Sequence, residues 1–273
     1  MGSPLRGLVR LLLYFSWTIV LIPVQALALA FGWRLRESLP LFYHRSCCRI
    51  FGIEVEVRGE RATSRPGLFI CNHTSYLDVM VLASLIPGSF VAKSEVANWP
   101  LFGLLAKLQR TVFVVRDRRQ AAVQRDEMTE RLTAREELIL FPEGTSNDGN
   151  RVLPFKSALF AVASETIAGA QLSVQPVSVS YVALDGMPLG RFLRPFYAWY
   201  GDMEMATHIW RVATLGILTV VVEFHPPAPH EAFVSRKTLA DYCYRRVSAG
   251  VARALAGRTP APEAPGGALA EAG

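Results

Sequence analysis

The chain has 273 residues, of which 51% are hydrophobic and only 19% charged, with a formal net charge of +6. That length allows one large domain with a sizeable core, and the apolar excess argues against a purely solvated or disordered chain. Basic excess suits nucleic acid, an anionic membrane or an anionic substrate. No nucleic-acid motif is present, so the membrane and substrate readings lead. Cys47, Cys48, Cys71 and Cys243 lack metal-ligand spacing and read as buried free thiols.

From Leu11 to Gly32 there is no charged residue, about the 20 residues needed to cross a bilayer. Arg6 and Arg10 precede the run, Arg34 and Arg36 follow it, and Pro23 lies inside it. Three readings stand: a kinked anchor or membrane hairpin, a spanning helix, and a cleaved signal peptide. Basic flanks on both sides favour keeping both ends on the cytoplasmic side. Residues 1–36 are taken as a membrane anchor, 37–256 as the folded domain, and the Pro/Ala/Gly-rich 257–273 as a disordered tail.

Residues 37–52 read as an interfacial helix, and Ile53–Arg58 alternates as a half-exposed strand. Leu68–Cys71 is a buried strand and Leu77–Leu85 a helix behind it, with Thr74-Ser75 as the helix start and Ser75 as its cap. Ser89–Ala92 reads as a strand, and Asn98–Gly103 opens a helix with Pro100 in its first turn. Thr111–Val115 is a strand, Gln120–Arg135 a charged helix, Glu137–Phe141 a strand and Phe155–Gly169 an apolar helix. Val174–Tyr181 and Leu218–Phe224 are strands. Strands alternating with helices predict an α/β fold, with crossover connections through the sheet.

Two segments carry chemistry. Asn72-His-Thr-Ser-Tyr-Leu-Asp78 follows the central strand, and Phe141-Pro-Glu-Gly-Thr-Ser146 follows a second apolar strand about 70 residues on. A carboxylate at 78 can fix one imidazole nitrogen of His73 and leave the other free to take a proton from an alcohol. A glycine in the second turn allows close backbone approach to a ligand. Together these motifs resemble the glycerolipid acyltransferases, the 1-acylglycerol-3-phosphate acyltransferase family, over roughly residues 50–225.

The resemblance implies a single acyltransferase domain with a mixed, mostly parallel sheet flanked by helices, plus the N-terminal membrane-anchoring helical segment. It implies transfer of a fatty acyl group from acyl carrier protein or coenzyme A to a lysolipid hydroxyl, with no cofactor and no metal. His73 is then the catalytic base and Asp78 its orienter. Arg116 ends a third motif and is the natural anion contact. Glu143, Gly144, Thr145 and Ser146 would bind substrate. Pro176 looks like wall, and Lys93–Glu95 and Trp99–Gly103 would line the acyl path. Partners are the acyl donor, the lysolipid and membrane lipid, and the site would face the cytoplasm at the inner membrane.

One departure bears on the acceptor. The family's turn usually continues with arginine where this chain has Ser146. Arg151 or Lys156 are candidates to replace it. The family as a whole implies 1-acyl-sn-glycerol-3-phosphate as acceptor, and that is the expected substrate, with lyso-ornithine lipid as the alternative. Ser146, Arg151–Phe160 and Trp199–Glu204 look instead like the lyso-ornithine lipid branch, where Asp148, Asp202 or Glu204 would meet an ammonium group. A thioesterase or lipid hydrolase is a more distant alternative, opposed by the lack of a G-x-S-x-G elbow.

Overall fold

The computed structural model describes residues 2–64, 66–114, 121–164, 172–229 and 233–259. Arg116 and the tail from residue 260 onward therefore lie outside the described residues.

The uncharged run forms one helix, α1 (Pro4–Ala30), with Pro23 inside it. It is long and apolar enough to cross a membrane. Ser3 caps its start, and the chain turns at Gly32, where φ is +65° and glycine carries no Cβ penalty. The next helix, α2 (Leu35–Phe51), packs back along the first. The Thr18 and Tyr43 hydroxyls are 2.9 Å apart, Gln25 donates to the Arg36 carbonyl, and Tyr14 meets Phe51 edge-on. The paired numbers rise on one helix as they fall on the other, so the two run antiparallel. The hairpin is thus made by α1 and α2 together, and α1 itself runs unbroken. Leu8, Leu12, Leu13, Ile19 and Val20 are exposed on α1. On α2, by contrast, Leu39, Cys47, Cys48 and Phe51 are buried.

After Gly52 come β1 (Ile53–Arg58), β2 (Gly67–Cys71), α3 (Leu77–Ala83) and β3 (Ser89–Lys93). A 3-10 turn (Ser94–Asn98) precedes α4 (Phe102–Leu108) and β4 (Val112–Val114). Pro100 does not open the helix as expected. A residue before proline is pushed out of the α region, and Trp99 is extended at ψ 132°. Leu101 then takes φ 60°, so helix starts only at Phe102.

The chain continues through α5 (Ala121–Thr133), β5 (Glu137–Leu140), β6 (Ser173–Leu184) and the two-residue β7 (Met187–Pro188). Where an apolar helix over 155–169 is expected, the described part is a 3-10 segment, Ser157–Ser164, and the remainder lies outside the described residues. Then follow α6 (Met205–Thr214), β8 (Leu218–Phe224), β9 (Ala228–Pro229) and α7 (Arg236–Leu255). Neither α6 nor α7 is assigned from sequence, although both carry caps. Glu204 accepts from the Ala206 and Thr207 amides, and Ser235 forms a capping box with Thr238.

The sheet runs β1-β8-β6-β2-β5-β3-β4, with β7 and β9 on β6. It is parallel except where β6 meets β7, β8 and β9. Alternation along β2 places Phe69 and Cys71 in a core shared with α2 and α3, and Leu68 and Ile70 in one shared with α7. All four cysteines are free and buried.

Candidate active site

The sheet register builds the site. On the parallel neighbours β2 and β5, Ile70 pairs with Leu140. Residues offset by 70 therefore sit at the same level, and the loops that open with Asn72 and Phe141 emerge side by side at the carboxyl ends of the strands. Ligand sites of open α/β sheets form at that edge.

Asn72 continues the pairing of β2 with β6 through its side chain, donating to the Val179 carbonyl and accepting from the Val179 amide. His73 is thereby held at a fixed height above the sheet. Its Nδ1 is 2.8 Å from Asp78 Oδ2, and its ring stacks on Phe141 at 4.2 Å between centroids. With Nδ1 committed, Nε2 is left for chemistry, and the imidazole side chain is 23% exposed.

Asp78 is fully buried at the start of α3. The same Oδ2 accepts from the Thr74 amide at 2.6 Å and the Ser75 amide at 2.9 Å. The carboxylate therefore folds the loop that carries its own histidine. Ser75 does not cap the helix: the cap position is Tyr76, without a side-chain bond, and Asp78 instead satisfies the Thr74 and Ser75 amides of the loop ahead of it. The Ser75 side chain is completely buried, which also removes it as a nucleophile.

In the second loop, Glu143 lies beneath the site. It is 2% exposed. One oxygen accepts from the His73 amide, the other from Asn147 Nδ2 and the Leu153 amide. Burial pushes its carboxyl up to about 7, against the pull of those three donors. Asn147 also donates to the His73 carbonyl. Glu143 and Asn147 thus clamp the histidine loop to the second turn. Gly144 takes φ +66°, and its amide is spent on the Phe141 carbonyl. A Cβ there would lie 2.8 Å from Lys156 Nζ, so that ammonium stands against the turn. Thr145 is exposed. The Ser146 hydroxyl donates to the Trp199 carbonyl at 2.5 Å, and the Trp199 amide donates to the Thr74 carbonyl. Residue 199 therefore ties both motif loops together.

A cavity of about 470 Å³ opens beside His73, within the range of small-molecule sites. Gly144, Thr145 and Ser146 are part of its lining. Lys93, Glu95, Trp99 and Phe102 also line it, as do Tyr14, Leu21 and Ile22 of α1. The lining is mainly apolar and leads from the imidazole to the helix suited to a bilayer. Glu204 is spent capping α6. Asp148 holds the Asn150 amide and side chain, which keeps its carboxyl below the usual range despite partial burial.

A histidine oriented by a carboxylate, a glycine turn from the neighbouring strand and an apolar cavity match a known family. The acyltransferase family model covers residues 54–180. A lyso-ornithine lipid O-acyltransferase of Brucella abortus is 45% identical over 87% of this chain and 91% of its own length. The chain belongs to the acyltransferase family. A 1-acyl-sn-glycerol-3-phosphate acyltransferase of Neisseria gonorrhoeae is 33% identical over 74% of this chain and 75% of its own length. The crystal structure of the 1-acyl-sn-glycerophosphate acyltransferase PlsC of Thermotoga maritima superposes with a TM-score of 0.67. It covers 94% of this chain and 99% of its own, at 22% identity, and shares the fold. The chain is thus an acyl-transfer enzyme of lipid biosynthesis.

The sequence motifs find His73, Asp78 and the 143–146 turn. They assign no role to Asn72, which opens the first motif, and none to Asn147, Tyr181 and Trp199; these hold those residues in place through bonds spanning up to 107 positions. Of the last three, only Trp199, in the 199–204 segment, left a local signal.

Proposed function

We propose that the enzyme transfers an acyl group from an acyl thioester to the hydroxyl of lyso-ornithine lipid. The observation that carries the chemistry is the 2.8 Å contact of His73 Nδ1 with buried Asp78, beside an apolar cavity. His73 Nε2 takes the proton as the acceptor oxygen attacks the thioester carbonyl. The tetrahedral oxyanion collapses, the C–S bond breaks, and the imidazolium returns its proton to the leaving thiolate. The enzyme needs no nucleophile of its own.

The acceptor reading rests on similarity and on Ser146. The 45%-identical relative is a lyso-ornithine lipid enzyme, as is a Rhizobium meliloti protein 39% identical. Ser146 stands where a phosphate-binding member would carry a guanidinium. Arg116 is taken as the contact for the acceptor's anion. A second reading, acylation of 1-acyl-sn-glycerol-3-phosphate, is favoured by Lys156 standing against Gly144. Residues 1–36 serve as the membrane anchor of a 37–256 enzyme domain facing the cytoplasm, where acyl carrier protein and coenzyme A thioesters reside.

The test is an acceptor panel with purified enzyme, read by lipid mass spectrometry together with thiol release. Transfer to lyso-ornithine lipid well above transfer to lysophosphatidic acid supports the proposal. The reverse order establishes the second reading, and thiol release without any acceptor would mean a hydrolase.

A further inference from the structure

Strand β6 passes beside β2 and presents Val177, Val179 and Tyr181 to the core that also holds Phe69 and Leu77. Tyr181 is 2% exposed and sits edge-on to Tyr197 at 6.3 Å. Phenylalanine would fill that position equally well. A buried phenol needs a hydrogen-bond partner, and the hydroxyl has one: it donates to Asp78 Oδ1 at 2.6 Å, from 103 residues away.

We propose that Tyr181 is a positioning residue of the acyl-transfer site, fixing the rotation of the Asp78 carboxylate so that Oδ2 stays aligned on His73. This rests on the reading of His73 and Asp78 as base and orienter. The two carboxylate oxygens are unequally held. Oδ2 serves His73 and two backbone amides, all within one local turn. Among the described residues, Oδ1 takes its hydrogen bond from Tyr181 alone, and β6 is part of the rigid sheet. Tyr181 therefore references the dyad to the sheet and not merely to its own loop. Burial, followed by the adjacent carboxylate, raises the Tyr181 hydroxyl well above its usual range, so it remains a proton donor at any pH the enzyme meets. Tyr181 is not among the residues lining the cavity beside His73 and acts through Asp78.

The experiment is a double-mutant cycle of Tyr181→Phe and Asp78→Ala, with steady-state kinetics on a fixed donor and acceptor at a temperature well below both melts. Tyr181→Phe should lower kcat roughly 10- to 100-fold with KM within about threefold, because a bond to a charged group is lost without altering the cavity. In the Asp78→Ala background the same change should cost less than about twofold, since the carboxylate it acts through is gone. A merely packing role would cost the same factor in both backgrounds, and that result overturns the proposal, as does unchanged kcat in Tyr181→Phe. Should Tyr181→Phe fail to fold, a ring-fluorinated tyrosine at 181 keeps shape and hydroxyl and changes donor strength. An unchanged kcat there overturns the proposal, and an altered kcat with constant KM supports it. His73→Ala separates the two levels. Full activity in His73→Ala overturns the reading of the dyad itself, whereas loss in His73→Ala with normal Tyr181→Phe overturns only the role of Tyr181.

Discussion

Replacing Asp78 by asparagine isolates the charge of the dyad from its geometry. From sequence alone, asparagine is expected to impose the wrong histidine tautomer. The structure gives a different reason for loss. Oδ2 accepts from the Thr74 and Ser75 amides as well as from His73 Nδ1. An NH₂ group cannot stand against two backbone donors, so the amide oxygen must occupy that place. The NH₂ then faces the Tyr181 hydroxyl, which can rotate to accept. His73 keeps its tautomer and position, and what disappears is the negative charge beside the imidazolium formed during transfer. Two unit charges about 4 Å apart at an effective dielectric near 20 attract by about 4 kcal/mol. Solvent at the partly open ring reduces this to about 2–4 kcal/mol, or roughly 30- to 1,000-fold in kcat. KM and thermal stability should change little. The assay is acceptor-dependent thiol release, paired with a thermal melt. Asp78→Ala is the contrast: it strands both amides and the Tyr181 hydroxyl, at about 1–3 kcal/mol each, and should melt well below wild type. An Asp78→Asn enzyme within about threefold of normal kcat would refute the electrostatic argument.

Glu143 makes a pH prediction. Its carboxyl is raised from 4.5 to about 7 in the fold. The native state therefore holds a proton that the unfolded chain releases near 4.5, and this group's contribution to stability is full below 4.5 and lost as pH rises to about 7. The loss is at most about 3 kcal/mol, and Glu143→Gln should flatten that part of a Tm-against-pH curve. The same substitution places an NH₂ against the Asn147, Leu153 or His73 donors, so Tm should fall overall. Gly144→Ala forces a Cβ into φ +66° and toward Lys156, which should cost about 1–2 kcal/mol by thermal or denaturant unfolding. Leu12 and Ile19 are 59% and 67% exposed on α1. Changing both to glutamate should abolish flotation with lipid vesicles while leaving the melt of the folded domain in place; retained flotation would show that α1 does not carry membrane binding.

The local sequence determined what short-range chemistry can determine. An uncharged run of bilayer length favours a continuous helix, and α1 continues across Pro23. Alternation marked β1, and short apolar runs marked β2, β5, β6 and β8, close to their observed limits. The His73–Asp78 pairing was legible because five residues suffice to close that hydrogen bond around a helix start. Other features were decided only by the tertiary structure. Pro100 and Leu101 broke a helix whose composition favours it, through backbone conformation at two residues. Glu143 carries the same carboxyl on a surface or in a clamp, and only the parallel register of β2 against β5, with its offset of 70, set it under the His73 amide. Tyr181 and Asn72 acquired roles from strand order, because β6 lies next to β2 although more than 100 residues separate them. A sequence pattern encodes which face of a strand is buried. Which strand lies beside it is settled by packing of the whole sheet, and the partners of this dyad depend on that second choice.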